Sequence, residues 1–286
     1  PGSAGEPLYL DVKSAVMDNM KETVVIGGRY GLGSKDTTPE QIIAVFDNLE
    51  LPEPKNDFTI GITDDVTFKS LQVKENSYVD PSGVFSAKFW GIGSDGTVGA
   101  NKNSIKIIGE NSDMYVQGYF AYDSKKSGSV TISHLRFGKS PVRSSYLVRR
   151  PDFVACHVSS YIFKYDILAG LKKGGVFLLN SIWDADEVKR KLPATMKKYM
   201  ADHDIRFYII NATAIAEKIG LGNRINTIMQ SAFFKLADIV PFEKAEYEMK
   251  KAVSKTYDRK GDDVVNANFL AVEQGACALE KIEIPG

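Results

Sequence analysis

The chain has 286 residues, 43% of them hydrophobic and 25% charged, with 36 Lys and Arg balanced by 36 Asp and Glu. At roughly 150 residues per domain, this length predicts one large or two ordinary domains, enough to bury a core without staples. A formal charge of zero argues against a protein that coats nucleic acid, and two cysteines, Cys156 and Cys277, are too few for a disulfide framework, a four-thiolate zinc site or an iron–sulfur cluster held by this chain alone.

No apolar run reaches the roughly 18 residues of a membrane span, and the start, Pro1-Gly2-Ser3-Ala4-Gly5-Glu6, lacks the basic and apolar regions of a leader. A cytoplasmic protein without membrane contact is expected. A start without Met, followed at once by turn residues, reads as a cut through a longer protein. In chain order, residues 8–12 are expected as a strand, followed by a helix to about Met20, a strand over 23–28 and a glycine-containing loop. Thr38 as N-cap, Pro39 at the first helical position and Gln41 closing a capping box predict a helix over 39–48, with Ile42, Ile43, Val45 and Phe46 on its buried side. Residues 49–57 are a linker candidate, a strand follows over 58–62, and a domain boundary is placed near residue 82.

Beyond that boundary strands and helices alternate. Strands are expected at 84–90, 113–121, 129–137, 146–149, 152–156, 175–180 and 205–210, and helices at 97–109, 159–172, 184–202, 213–220, 223–238, 242–257 and 262–280. This pattern predicts an α/β fold whose larger domain is a mostly parallel sheet covered by helices, with an α-helical C-terminal tail. A partial, smaller α/β domain precedes it.

The sharpest local signal is G-x-G-x-x-G at Gly91, Gly93 and Gly96, after an expected strand and before a helix that opens at Thr97. Glycines there let backbone N–H groups approach a phosphate, and the helix N-terminus adds unpaired donors and the positive end of its dipole. The alternative is a structural tight turn. A nicotinamide site wants an acidic group about 20 residues further on. The candidate Asp123 is followed by Lys125, Lys126, Ser127 and Gly128, and two lysines suit a phosphorylated ribose, as in NADP or coenzyme A, unless they are simply solvated loop charges.

Other constellations are weaker. His134 alternates with apolar residues and is expected buried and satisfied. Cys156 and His157 are adjacent on a strand and face opposite ways, which argues against a nucleophile–base pair. Asp64 and Asp65 are read as a turn. Arg224 and Asn226 face either a ligand or interface, or solvent. No G-x-S-x-G, H-E-x-x-H, C-x-x-C or P-loop motif occurs, so no catalytic residue and no metal site is expected on this chain.

Seven stretches carry a resemblance that runs through nearly the whole chain in order: GEPLYLDV at 5–12, GGRYGLGSK at 27–35, GITDDVT at 61–67, FWGIGSDGTVGANK at 89–102, GYFAYDSKKSG at 118–128, SHLRFG at 133–138 and GNRIN at 222–226. They resemble an internal stretch of the pyruvate:ferredoxin (flavodoxin) oxidoreductases, thiamine-diphosphate and iron–sulfur enzymes that make acetyl-CoA. The resemblance implies that residues 1–82 are the latter part of the family's second domain, and that 83–286 form its third, γ-type domain. It further implies that thiamine diphosphate, Mg and the 4Fe-4S clusters belong to other segments of the full-length enzyme, so the fragment alone is not expected to be active. Coenzyme A would be held by this chain, with Lys125, Lys126, Ser127 and Gly128 at its 3′-phosphate. The loop with Gly91, Gly93, Gly96 and Thr97 would contact an anion or a neighbouring domain. The implied partners are the remaining domains, ferredoxin or flavodoxin, and a second copy in a full-length homodimer. The alternatives are a purely structural or interaction domain, and an NADP-binding domain that uses the same glycine loop.

Overall fold

A computed structural model of the chain describes residues 5–20, 22–74, 79, 81–122 and 128–284. They divide into two compact units, Pro1–Asp80 and Pro81–Gly286.

In the first unit, helix α1 (Pro7–Asn19) replaces the strand expected at 8–12. The alternation Leu8, Leu10, Val12 mimics a strand, but Leu8, Val12 and Val16 also recur at four-residue spacing, and Pro7 is pre-set for a first helical turn. Tyr9 and Lys13, one turn apart, are joined by a 3.2 Å hydrogen bond. The segment expected as a strand at 23–28 is extended loop that ends in the two-residue strand β1 (Gly28–Arg29). Helix α2 (Pro39–Leu49) opens on the expected capping box: the Thr38 hydroxyl accepts from the Gln41 N–H, and the Gln41 side chain accepts from the Thr38 N–H. Its buried residues are nevertheless Glu40, Ala44 and Asn48, the reverse of the expected face. Asn48 brackets the backbone of Lys55 with two 3.0 Å hydrogen bonds, which turns the polar side inward and leaves Phe46 62% exposed. Strand β2 (Phe58–Thr59) pairs in parallel with β1, and Arg29 is clamped between Glu6 and Asp57.

The second unit is built on a seven-stranded sheet. Its strands are β3 (Val84–Ile92), β4 (Tyr115–Tyr122), β5 (Val130–Gly138), β6 (Phe153–Cys156), β7 (Val176–Asn180), β8 (Arg206–Ile210) and β9 (Glu280–Ile282), in the spatial order β4-β5-β3-β6-β7-β8-β9. The centre, β3-β6-β7-β8, is parallel; β5 and β9 run against it, and β4 runs against β5. Between the strands lie α3 (Thr97–Asn111), α4 (Ala185–Lys191), α5 (Ala194–Asp202), α6 (Ala212–Lys218), α7 (Asn226–Ala237), α8 (Phe242–Tyr257) and α9 (Asp262–Cys277).

Four local differences from the expected elements have physical causes. Residues 146–149 form no strand, because the Val148 N–H is spent on the His134 ring. The stretch 159–172 is a short 3-10 turn followed by loop. Its buried apolar residues are Tyr161, Ile162, Ile167, Leu168 and Leu171, and the four consecutive exposed residues from Phe163 to Asp166 interrupt any stripe of helical period. Pro193 divides the expected helix 184–202 by holding Leu192 extended. The helical tail ends at Cys277 and returns as β9, where Ile282 lies opposite Phe207.

Two hydrophobic cores cover the sheet. On one face Phe89, Phe153 and Phe137 pack against α7, whose residues Thr227 to Phe234 are all buried. The Phe233 ring is 5.0 Å from that of Phe89 and 5.1 Å from that of Phe153, both edge-on. On the other face Trp90, Val154, Phe177 and Leu179 meet Val188, Met196 and Met200 of α4 and α5. Loss of the Phe233 ring leaves a cavity that a helix buried on all sides cannot collapse. Phe233→Ala is expected to cost about 3–5 kcal/mol, read from the urea midpoint; a loss below about 1 kcal/mol would contradict this placement of the core.

Candidate functional site

Strand β3 feeds one connection towards β4 and β5, while the chain from β6 onward builds the other side of the sheet. The carboxyl ends of β3 and β6 therefore form a topological switch point, where open α/β sheets place their ligands. The glycine motif sits there, as β3 runs through Gly91 and a tight turn leads into α3.

Asp95 organises the turn. Its carboxylate accepts from the Ile92 N–H at 2.9 Å and from the Thr97 N–H at 2.8 Å, so an internal anion occupies the start of the helix, where negative charge is favoured. The Gly93 N–H is also spent, on the Ser129 carbonyl at 2.8 Å. Gly96, the N-cap, has φ +87, and Ser94 shares the left-handed region at φ +75. At Gly91 the reason for glycine is close approach: a Cβ would lie 2.7 Å from Thr97 Oγ1 and 2.9 Å from Asp95 Oδ2.

From Thr97 a line of hydrogen bonds crosses the carboxyl edge of the sheet. Thr97 Oγ1 and His157 Nδ1 are 2.9 Å apart, the His157 N–H donates to the Trp90 carbonyl, and its carbonyl accepts from Asn180 Nδ2 at 3.0 Å. Asn180 Oδ1 in turn accepts from the first N–H of α6. Burial pushes the His157 imidazole down to about 4, against the opposing pull of the Asp95 charge. A ring held neutral in this way braces the turn and is no general base at neutral pH. Burial likewise pushes the Cys156 thiol up to about 12. It lies in the core on the opposite face, so the two residues form no catalytic pair.

The structure brings Gly91, Gly93, Gly96, Thr97 and Gly128 together. A Cβ at Gly93 would lie 3.5 Å from the Gly128 nitrogen, and Gly128 is left-handed at φ +101. Asn226 joins them, its side chain against Gly96, while Arg224 Nε donates to the Leu221 carbonyl. Lys125, Lys126 and Ser127 lie outside the described residues. Asp64 is a turn residue, its carboxylate accepting from the N–H groups of Val66, Thr67 and Lys69. The pattern of types and spacings gave no sign of the Thr97–His157–Asn180 line; the nearest signal was a polar Asn180 closing an apolar strand. A groove of about 760 Å³ opens at the carboxyl ends of β7 and β8, between Ile182, Trp183, Ile215 and Leu270. Its Asn211 already caps α6, so the groove offers shape and few polar anchors. Among the described residues no cluster of His, Cys, Asp or Glu could hold a metal, and no helix is long and apolar enough to cross a membrane.

The family model for pyruvate ferredoxin/flavodoxin oxidoreductase matches residues 86–278. The chain belongs to this family. It is 56% identical over 285 residues to the pyruvate:ferredoxin oxidoreductase of Moorella thermoacetica, a match that takes in 100% of this chain and 24% of the relative. The chain thus spans about a quarter of the length of that oxidoreductase. Among solved structures, the pyruvate oxidoreductase subunit PORC of Thermotoga maritima is 23% identical with a TM-score of 0.56, over 70% of this chain and 99% of the subunit. The 2-oxoglutarate:ferredoxin oxidoreductase of Magnetococcus marinus, solved with 2-oxoglutarate, coenzyme A and succinyl-CoA bound, is 16% identical with a TM-score of 0.54, over 72% of this chain and 34% of that one. These likenesses bear on the fold alone, an α/β fold shared with the two solved proteins.

Two predictions follow from the turn that this family member carries. Gly91→Ala forces its methyl against Thr97 and Asp95 and is expected to cost about 1–3 kcal/mol. Gly99→Ala, on α3 with nothing within 4 Å of the new methyl, is expected to stabilise by up to about 1 kcal/mol; equal effects in thermal unfolding would contradict the close approach. The His157 shift sets a pH dependence. The unfolded ring titrates near 6.5 and the folded one near 4, so stability is present above pH 6.5 and falls as pH drops through about 4. Urea midpoints across this window should show His157→Gln less stable at pH 7, with a shallower loss on acidification than the parent.

Proposed function

We propose that this chain supplies coenzyme A capture and interdomain scaffolding in a CoA-acetylating pyruvate oxidoreductase, which decarboxylates pyruvate oxidatively to acetyl-CoA and passes electrons to ferredoxin or flavodoxin. The observation that carries this is the meeting of two segments far apart in sequence. The glycine turn after β3 and the C-terminal end of the β4–β5 connection are joined through Gly93 N–H and Ser129 O. The register Tyr122↔Thr131 fixes both ends of that connection, and its sequence carries Lys125 and Lys126. Two ammonium groups suit the dianionic 3′-phosphate of coenzyme A through charge-assisted hydrogen bonds.

The division of labour follows from Asp95. Because its carboxylate already holds the donors of Ile92 and Thr97, the turn supports the lysine-bearing connection and receives a domain surface rather than the phosphate itself. Gly91, Gly93, Gly96 and Thr97 act in this reading as the base on which Lys125, Lys126, Ser127 and Gly128 present themselves. A scaffolding role is supported independently by the first unit, where Ile42, Ile43, Phe46 and Leu49 of α2 leave an apolar stripe in solvent of the kind that marks interaction surfaces. Two thiols, one of them buried with its pKa raised, do not fit a 4Fe-4S cluster held by this chain alone, so in this reading the clusters lie elsewhere; thiamine diphosphate and Mg are placed there too, on the family resemblance.

Calorimetric titration with coenzyme A and with dephospho-CoA tests the assignment. Coenzyme A is expected to bind at least about tenfold more tightly, the worth of one charge-assisted contact, and the Lys125→Ala, Lys126→Ala double variant should erase the difference. Equal affinities in the parent chain would remove the 3′-phosphate role, and tighter binding of NADPH than of coenzyme A would favour the NADP alternative.

A further inference from the structure

On the face of the sheet that carries Trp90, away from α7, β3 and β5 set Lys88 directly opposite His134. Side chains that face each other across an antiparallel pair rise from the same side. The Val148 N–H donates to His134 Nδ1 at 3.2 Å. A ring nitrogen that accepts carries no proton, so the neutral imidazole keeps its hydrogen on Nε2. His134 is 4% exposed, and its Nε2 has no hydrogen-bond partner among the described residues. The expectation of a satisfied histidine is thus half met.

Lys88 is partly buried beside it, without a hydrogen bond or an ion pair among the described residues. The charges that bear on its ammonium are Asp166, which favours the charged form from a distance, and Arg149, which opposes it. Arg136, 3% exposed, donates to Gln117 Oε1 at 2.9 Å and lies over the Tyr146 ring. The charges of Lys88 and Arg136 both act against protonation of His134. The Tyr119 ring, 57% exposed and 6.5 Å from the imidazole, borders the cluster on the solvent side.

Two donors thus face one another, the His134 Nε2–H and the Lys88 ammonium, and neither has an acceptor among the described residues; Asp166 lies beyond ion-pair reach of Lys88. Buried donors are normally paired, and an ammonium short of counter-charge beside an unpaired N–H favours an anionic acceptor. We propose that Lys88 and His134 form a binding site for a small oxyanion, a phosphate or carboxylate group, on the face of the sheet opposite the Gly91–Thr97 turn. The ammonium supplies charge and the Nε2–H supplies direction.

The His134 ring nitrogens of the 286-residue chain report occupancy directly in long-range proton–nitrogen NMR spectra. Inorganic phosphate and sodium acetate are titrated separately at pH 7 and constant ionic strength, with chloride as the balancing ion. A saturable shift of Nε2 is expected with at least one of them, and the tighter binder identifies the group. Lys88→Met should weaken it at least about tenfold, and Lys88→Arg should restore most of the affinity. Lys88→Gln provides the same reading if the methionine variant does not fold. A shift that never saturates with either anion would mean that water alone serves these donors, and undiminished binding in the neutral variants would remove Lys88 from the site; either result overturns the proposal.

Discussion

The larger unit depends on one contact, the Asp95 carboxylate folded back on the backbone of its own turn. It takes the N–H groups of Ile92 and Thr97, and it can do so because Gly91 has no Cβ to hold Thr97 and Asp95 away. With Thr97 fixed, its hydroxyl reaches His157, and through His157 and Asn180 the ends of β3, β6 and β7 and the start of α6 are joined. The carboxyl edge of a parallel sheet is otherwise a row of loose strand ends. Here a short polar line makes it one surface, and the desolvation that keeps His157 neutral is the mark of how thoroughly water is excluded.

This constraint separates two functions that a glycine-rich turn can combine. In a dinucleotide site the turn's own N–H groups meet the ligand; in this chain most of them are already satisfied from within. The turn fixes the end of the neighbouring connection through the Gly93–Ser129 hydrogen bond, and recognition is proposed to lie in that connection. On the other face, Lys88 of β3 and the Nε2 of His134 on β5 have no acceptor among the described residues. One sheet thus holds a satisfied anion on one face and an unsatisfied demand for one on the other.

Much of this architecture was legible in the residues. Apolar runs of four to nine residues bounded by glycine and polar turns gave the strands of the central sheet, and the Thr38–Gln41 box gave the start of α2 to the residue. The glycine spacing located the turn, because Gly91, by close approach, and Gly96, by its left-handed φ, are needed whatever fills the turn. What fills it was not legible: Asp95 is one acidic residue among 36, and only the folded turn shows that its oxygens meet two N–H groups. Period alone also misled where another interaction took precedence. The apolar stripe of α2 predicts a buried face, yet Asn48 binds the Lys55 backbone and turns that stripe outward. His134 and Lys88 read as an ordinary buried histidine and an ordinary strand lysine until the register set them opposite one another.

Amide hydrogen exchange with and without coenzyme A addresses the central assignment most directly, because it reads the turn and the connection separately. Coenzyme A is expected to slow exchange in peptides spanning residues 122–131 and to leave 92–97 as protected as before, since the Ile92 and Thr97 amides are already bonded to Asp95. Slowing confined to 92–97, with 122–131 unchanged, would contradict it and return the phosphate to the glycine turn.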